Sequence, residues 1–171
     1  MEVRQAGLED VSAYVAYGRA AQAWLRSRGL GQYVPAAHDE YAASVRARAE
    51  AGTLFAVWHG GEPVGFFNLD PTPSPWWPAD GAPALYLAGM VVSPRARGQG
   101  VGSFIIRWCV AEAARRGCRF VRLDCHAGNT WLCRYYEGHG FALQGRVEQH
   151  PGYEGCLYQR ETSSPAEAED A

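Results

Sequence analysis

The chain has 171 residues, 47% of them hydrophobic and 20% charged, with a formal net charge of −2. These are the values of one globular domain large enough to bury a core. The mild acidity argues against a nucleic-acid-binding surface, and no apolar run reaches membrane-span length, so neither nucleic acid nor membrane is expected as a partner.

Five cysteines, an odd number with no C-x-x-C pair, argue against a disulfide framework and against a metal site. With no signal-peptide pattern at the start, they fit free thiols in a reducing cytoplasm. All 16 basic residues are arginine, and alanine and glycine are abundant, which suits a GC-rich bacterial genome.

Glu2 to Ala6 reads as a short strand with Val3 inward. Leu8-Glu9-Asp10 then enters a helix whose Val11, Tyr14, Val15, Ala21, Trp24 and Leu25 recur at three and four residues, and Gly29 and Gly31 end it. His38 to Ala51 reads as a second helix, with acids early and arginines late, as the helix dipole favours. Thr53–His59 and Glu62–Leu69 are strands joined by the two-residue turn Gly60-Gly61. Asp70 to Pro83 holds five prolines and the pair Trp76-Trp77, which excludes regular structure and suggests a lid or binding loop, or rings folded back on the core.

Ala84 to Val92 is a near-continuous apolar strand, predicted to be central, and Gly89 inside it marks a bulge or a close backbone approach. Val101 to Arg116 carries the inward stripe Val101, Phe104, Ile105 and Trp108 of a helix. Arg119–Cys125 is a strand. Asn129 or Thr130 caps a helix over Trp131–His139, and Phe141–Val147 and Tyr153–Arg160 form a last strand pair. Residues 162–171 are polar and acidic and are expected to be a disordered tail behind a single domain over 1–161.

The loop from Ser93 to Ser103 organises the chain. Gly98, Gly100 and Gly102 remove side chains where a ligand could approach the backbone, and the helix that follows offers unpaired N–H groups at its positive end. Arg95 and Arg97 add charge, so the stretch reads as a phosphate or pyrophosphate cradle. A Walker loop needs a lysine, and this chain has none; the G-x-G-x-x-G fingerprint lacks its third glycine.

What fits is Arg97-x-x-Gly100-x-Gly102 after a strand ending Val91-Val92. This resembles the coenzyme A signature of the GNAT N-acyltransferases. A second match lies downstream: Asn129 after the strand, then Tyr136-Glu137-Gly138-His139-Gly140-Phe141. The predicted order β-α-α-β-β-β-α-β-α-β-β is also that of the GNAT fold, an α/β (α+β) architecture with a mixed sheet of about seven strands and helices on both faces.

The resemblance implies acyl transfer from acetyl-CoA to an amine without an acyl-enzyme. It implies that Met90, Val91 and Val92 meet the donor through their backbone. It further implies that Arg97, Gly98, Gln99, Gly100, Val101, Gly102 and Ser103 hold the pyrophosphate, that Asn129 binds cofactor, and that Tyr136 protonates the leaving thiolate. Many GNAT members carry a base glutamate on the fourth strand, and Ala84–Met90 has no carboxylate. Asp124 and His126 are the candidate bases, with Asp70 and Asp80 as further carboxylates. Cys125 as a nucleophile is the weaker reading, since a thiol at a strand end is commonly structural.

For the acceptor, Trp24, Tyr33, Asp70, Trp76 and Trp77 could form an aromatic and acidic wall favouring a small aromatic or cationic amine, with a protein or peptide amine as an alternative. The family also allows a homodimer, for which no interface is specified. A module that binds acyl-CoA without catalysis is the competing expectation, supported by the missing fourth-strand carboxylate.

Overall fold

The computed structural model describes residues 1–30 and 38–162. Its elements run β1 (Glu2–Gln5), α1 (Val11–Ser27), α2 (His38–Glu50), β2 (Leu54–His59), β3 (Glu62–Asp70), β4 (Ala84–Val92), α3 (Val101–Arg115), β5 (Phe120–His126), α4 (Thr130–Gly138), β6 (Ala142–His150) and β7 (Tyr153–Glu161). Short 3-10 turns at Leu8–Asp10 and Pro94–Ala96 precede α1 and follow β4. The strands form one seven-stranded mixed sheet in the order β1-β2-β3-β4-β5-β7-β6, so β4 is the central strand. Tyr33 and residues 163–171 lie outside the described residues. Thr162, placed in the tail by composition, is tied to the domain through its N–H to the Arg119 carbonyl at 2.9 Å.

The chain divides into two compact units, and the division falls at the end of β3, inside β4 and inside α3. The first unit comprises Met1–Leu69 and Gly89–Ile105. In it β1 pairs antiparallel with β2, and β2 with β3, around the Gly60-Gly61 turn, whose residues both have positive φ. The α1 stripe Val11, Tyr14 and Val15 packs with Val45 of α2 and with Leu54, Ala56 and Phe66 of the strands into one buried cluster. Asp10 accepts the Gly7 N–H at 3.0 Å, which fixes the entry to α1. Gly18, buried on the same helix, leaves room for the Tyr41 hydroxyl that any side chain there would strike.

The second unit comprises Asp70–Ala88 and the chain from Ile106 onward. In it β4 pairs in parallel with β5 at Ala84, Leu85 and Tyr86, and β5 and β6 each pair antiparallel with β7. The proline loop is anchored by Trp77, which is buried with Ala84, Tyr86, Phe120 and Leu157. Arg122, 3% exposed, lies 4.7 Å from the Trp77 ring centroid and donates to Asp80, Tyr86 and Gln159. Trp77 therefore spends its ring on the core, as folding back would require, rather than on an open wall. Trp76 beside it is half-buried and meets His150 edge-on at 5.9 Å.

Candidate active site

The first unit carries the anion loop. Ser93, at the end of β4, donates its N–H to the Val64 carbonyl at 2.9 Å, and Gln99 closes a turn onto Ala96. Gly98 and Gly100 hold φ of 76° and 79°, a backbone region closed to most L side chains, and the space above each is open. The Phe104 N–H bonds the Gly100 carbonyl at 2.9 Å, which makes Gly100 the entry to α3. The N–H groups of Val101 and Gly102 thus open the helix, where an intrahelical partner one turn back is lacking. Arg97 stands at the rim with its Nη2 buried and without a hydrogen-bond partner among the described residues. Open space above the glycines, a positive helix end and an orphaned guanidinium nitrogen fit a polyphosphate anion.

Just upstream, Gly89 adopts φ 58° within β4, and its carbonyl accepts the Tyr14 hydroxyl at 2.7 Å. A side chain at 89 would strike Tyr14 and Arg48, so both the conformation and the contact require glycine. β4 is buried from Ala84 to Leu87 and emerges from Ala88 onward, leaving Met90, Val91 and Val92 half-buried. Of the two readings Gly89 invited, a bulge or a close backbone approach, the close approach is the one seen; its partner, Tyr14, was not anticipated, because the two residues are 75 positions apart.

The second unit carries the candidate chemistry. Asn129 is the N-cap of α4, its Oδ1 accepting the Leu132 N–H at 3.1 Å, and it is buried. Tyr136 lies on the buried face of α4, 7% exposed, among Tyr135, Phe141 and Tyr158. Tyr158 donates to Glu137 at 2.8 Å and fastens α4 to β7. The Tyr136 hydroxyl has no hydrogen-bond partner among the described residues. Burial pushes its pKa up, and the neighbouring Cys125, Tyr135 and Asp124 act in the same direction. The phenol is therefore held in its protonated form.

Asp124 sits beside it on β5. Burial raises its pKa above the ordinary 3.8, against the Gln149 amide, which donates to Oδ2 at 2.8 Å and favours the charged form. His126 stacks on Tyr153 at 4.3 Å, and its Nδ1 is 3.2 Å from the Glu154 carbonyl. That contact makes Nδ1 the protonated nitrogen of the neutral ring and leaves the Nε2 lone pair available.

The remaining candidates separate by partner. Asp80 is bound by Arg122, which lowers its pKa to about 2 and occupies its lone pairs, a poor setting for a base. Asp70 caps its own turn by accepting the Thr72 N–H at 2.8 Å. Cys125 lies 3.8 Å from Cys133, and burial pushes its thiol up, so little thiolate exists near neutrality. Trp24, proposed as acceptor wall, instead carries two guanidinium groups, Arg28 at 4.9 Å and Arg97 at 5.5 Å from its ring centroid. Among the described residues no group of His, Cys, Asp or Glu is placed to hold a metal, and no helix is long and apolar enough to cross a membrane.

The glycine–arginine loop in the first unit and the capped helix with its buried tyrosine in the second hold the positions on which the GNAT resemblance rests. The model of the acetyltransferase (GNAT) family matches residues 19–141, and the chain belongs to that family. It is 30% identical over 132 residues, 71% of each chain, to the uncharacterized N-acetyltransferase YesJ of Bacillus subtilis. Its fold is similar to a GNAT family acetyltransferase from Listeria monocytogenes, with a TM-score of 0.77 and 24% identity over 94% of each chain. It is also similar to yncA, a putative acetyltransferase of Salmonella typhimurium solved with acetyl-CoA, with a TM-score of 0.66 and 18% identity over 96% of this chain and 95% of that one. The family identifies the chain as an acetyltransferase.

Proposed function

We propose that this single-domain enzyme transfers an acetyl group from acetyl-CoA directly to the primary amine of a small molecule, with Tyr136 as general acid. The observation that carries the reading is the Tyr136 side chain, set into the buried face of α4 with no hydrogen-bond partner for its hydroxyl among the described residues, near the half-buried carboxylate Asp124.

When bound, acetyl-CoA supplies a thioester carbonyl and a sulfur leaving group. The backbone N–H groups of Gly98, Gly100, Val101 and Gly102, with Arg97, hold its phosphates, and the GNAT resemblance adds Asn129 as a cofactor contact. The backbone of Val92 pairs with the pantetheine amides, and an N–H at Met90 or Val91 polarises the carbonyl. Asp124 takes the proton from the attacking amine nitrogen, and its raised pKa suits that task better than an ordinary carboxylate would. His126 is the alternative base through Nε2. The Tyr136 O–H gives its proton to the departing sulfur. No enzyme nucleophile is needed, consistent with the suppressed acidity of Cys125.

The acceptor is read from a row of half-buried rings: Trp76 on His150, His150 near Tyr153, and Tyr153 stacked on His126. Such a row favours a small cationic or aromatic amine. The test is release of CoA thiol from acetyl-CoA across a panel of small amines and peptides. Release with a small primary amine supports the reading. Stabilisation by acetyl-CoA without release for any amine would favour the non-catalytic module suggested by the carboxylate-free β4, and release with peptides alone would move the acceptor class to protein amines.

A further inference from the structure

Trp24 lies in the last turns of α1 and is 42% exposed. Two guanidinium groups approach it, Arg28 from the end of the same helix at 4.9 Å and Arg97 from the glycine loop at 5.5 Å. The ion pairs among the described residues lie elsewhere, so neither arginine has a carboxylate here. Two like charges on one ring repel each other, and the Arg97 Nη2 is buried without a hydrogen-bond partner. A buried donor left unpaired has lost its bond to water without gaining another. A multiply charged anion answers both problems at once: it neutralises the pair and accepts from the orphaned nitrogen.

We propose that Trp24 is a positioning residue for the donor: its ring holds the guanidinium groups of Arg97 and Arg28 as a two-arginine clamp for the phosphates of acyl-CoA. This rests on the reading of the Arg97–Ser103 loop as the phosphate cradle. Trp24 stands about 70 positions before the motif it serves, and its ring touches the anion only through the arginines. An aromatic face fixes a guanidinium plane without using up its N–H donors, which stay available for phosphate oxygens.

The experiment is calorimetric titration of the full chain with CoA and, separately, with pantetheine, which has the same thiol arm and no phosphate. A wild type that binds neither, or binds both equally, overturns the cradle reading itself and is seen before any variant is made. Given a wild type that prefers CoA, Trp24→Ala is expected to weaken CoA about tenfold and leave pantetheine unchanged. Trp24→Phe, which keeps an aromatic face, should restore most of the loss. Equal weakening of both ligands, or undiminished CoA affinity, overturns the clamp. Should Trp24→Ala fail to fold, Arg28→Gln at the exposed helix end carries the same test: selective loss of CoA affinity supports the clamp, and no change overturns it.

Discussion

Arg97 and Arg122 both lie over a tryptophan ring, and the two sites use the same chemistry to opposite ends. Arg122 in the second unit is 3% exposed, stacked on Trp77, and satisfied by Asp80, Tyr86 and Gln159. Arg97 in the first unit is stacked on Trp24 and leaves a buried nitrogen with nothing to donate to. A closed hydrogen-bond account marks a residue that holds the fold together. An open account, beside glycines that clear space and a helix end that supplies charge, marks one that waits for a ligand.

The largest effect that would break this contrast is on stability. Arg122→Ala removes a buried stack and several hydrogen bonds, and should cost about 2–4 kcal/mol in denaturant unfolding. Arg97→Ala should leave stability nearly unchanged. If the two variants unfold alike, the distinction fails. Next comes affinity: Arg97→Ala should weaken acetyl-CoA by roughly ten- to thirtyfold in a calorimetric titration, as expected for a lost charge-assisted contact.

A smaller effect concerns the carboxylates. Burial raises the Asp124 pKa, so the native state holds that proton more tightly than the unfolded chain. Stability from this group is therefore lost as pH rises from the ordinary 3.8 through the raised value, while a base becomes competent over the same interval. The acid limb of kcat/KM should inflect above the usual carboxylate range. Gln149→Leu, which removes the hydrogen bond favouring the charged form, should move it further up. An inflection unmoved by Gln149→Leu would assign the base to His126.

The smallest effect runs the other way. Arg122 lowers the Asp80 pKa to about 2, so its contribution is present above pH 3.8 and is lost as pH falls toward 2. Because Asp80 is partly exposed, solvent screens the pair, and Asp80→Asn should shift the melting temperature only slightly at neutrality. Between pH 4 and 2 the variant should lose less stability than the wild type.

What could be read from the chain was local. The bounds of β4 and the start of α3 followed from an apolar run and a glycine loop, and Gly89 was visible as an interruption with a structural cause. Asn129, left level with Thr130 as a cap, is the residue whose side chain bonds the helix. What could not be read depends on distance. Asp80 and Arg122 are 42 positions apart, and only their pairing shows that Asp80 is occupied and Trp77 buried. Cys125, Cys133 and Cys156 gather through the β5–β7 register and α4, without any spacing that announces it. Trp24 looked like a ligand wall because its place on α1 was legible and its neighbours Arg28 and Arg97 were not.

The most direct test of the whole account is turnover of Tyr136→Phe at saturating acetyl-CoA with the best amine, alongside the affinity of the same variant for acetyl-CoA. The account predicts that turnover falls by about a hundredfold or more while binding stays within twofold, because only the proton for the departing sulfur is removed. Unchanged turnover would contradict it and remove Tyr136 from the chemistry.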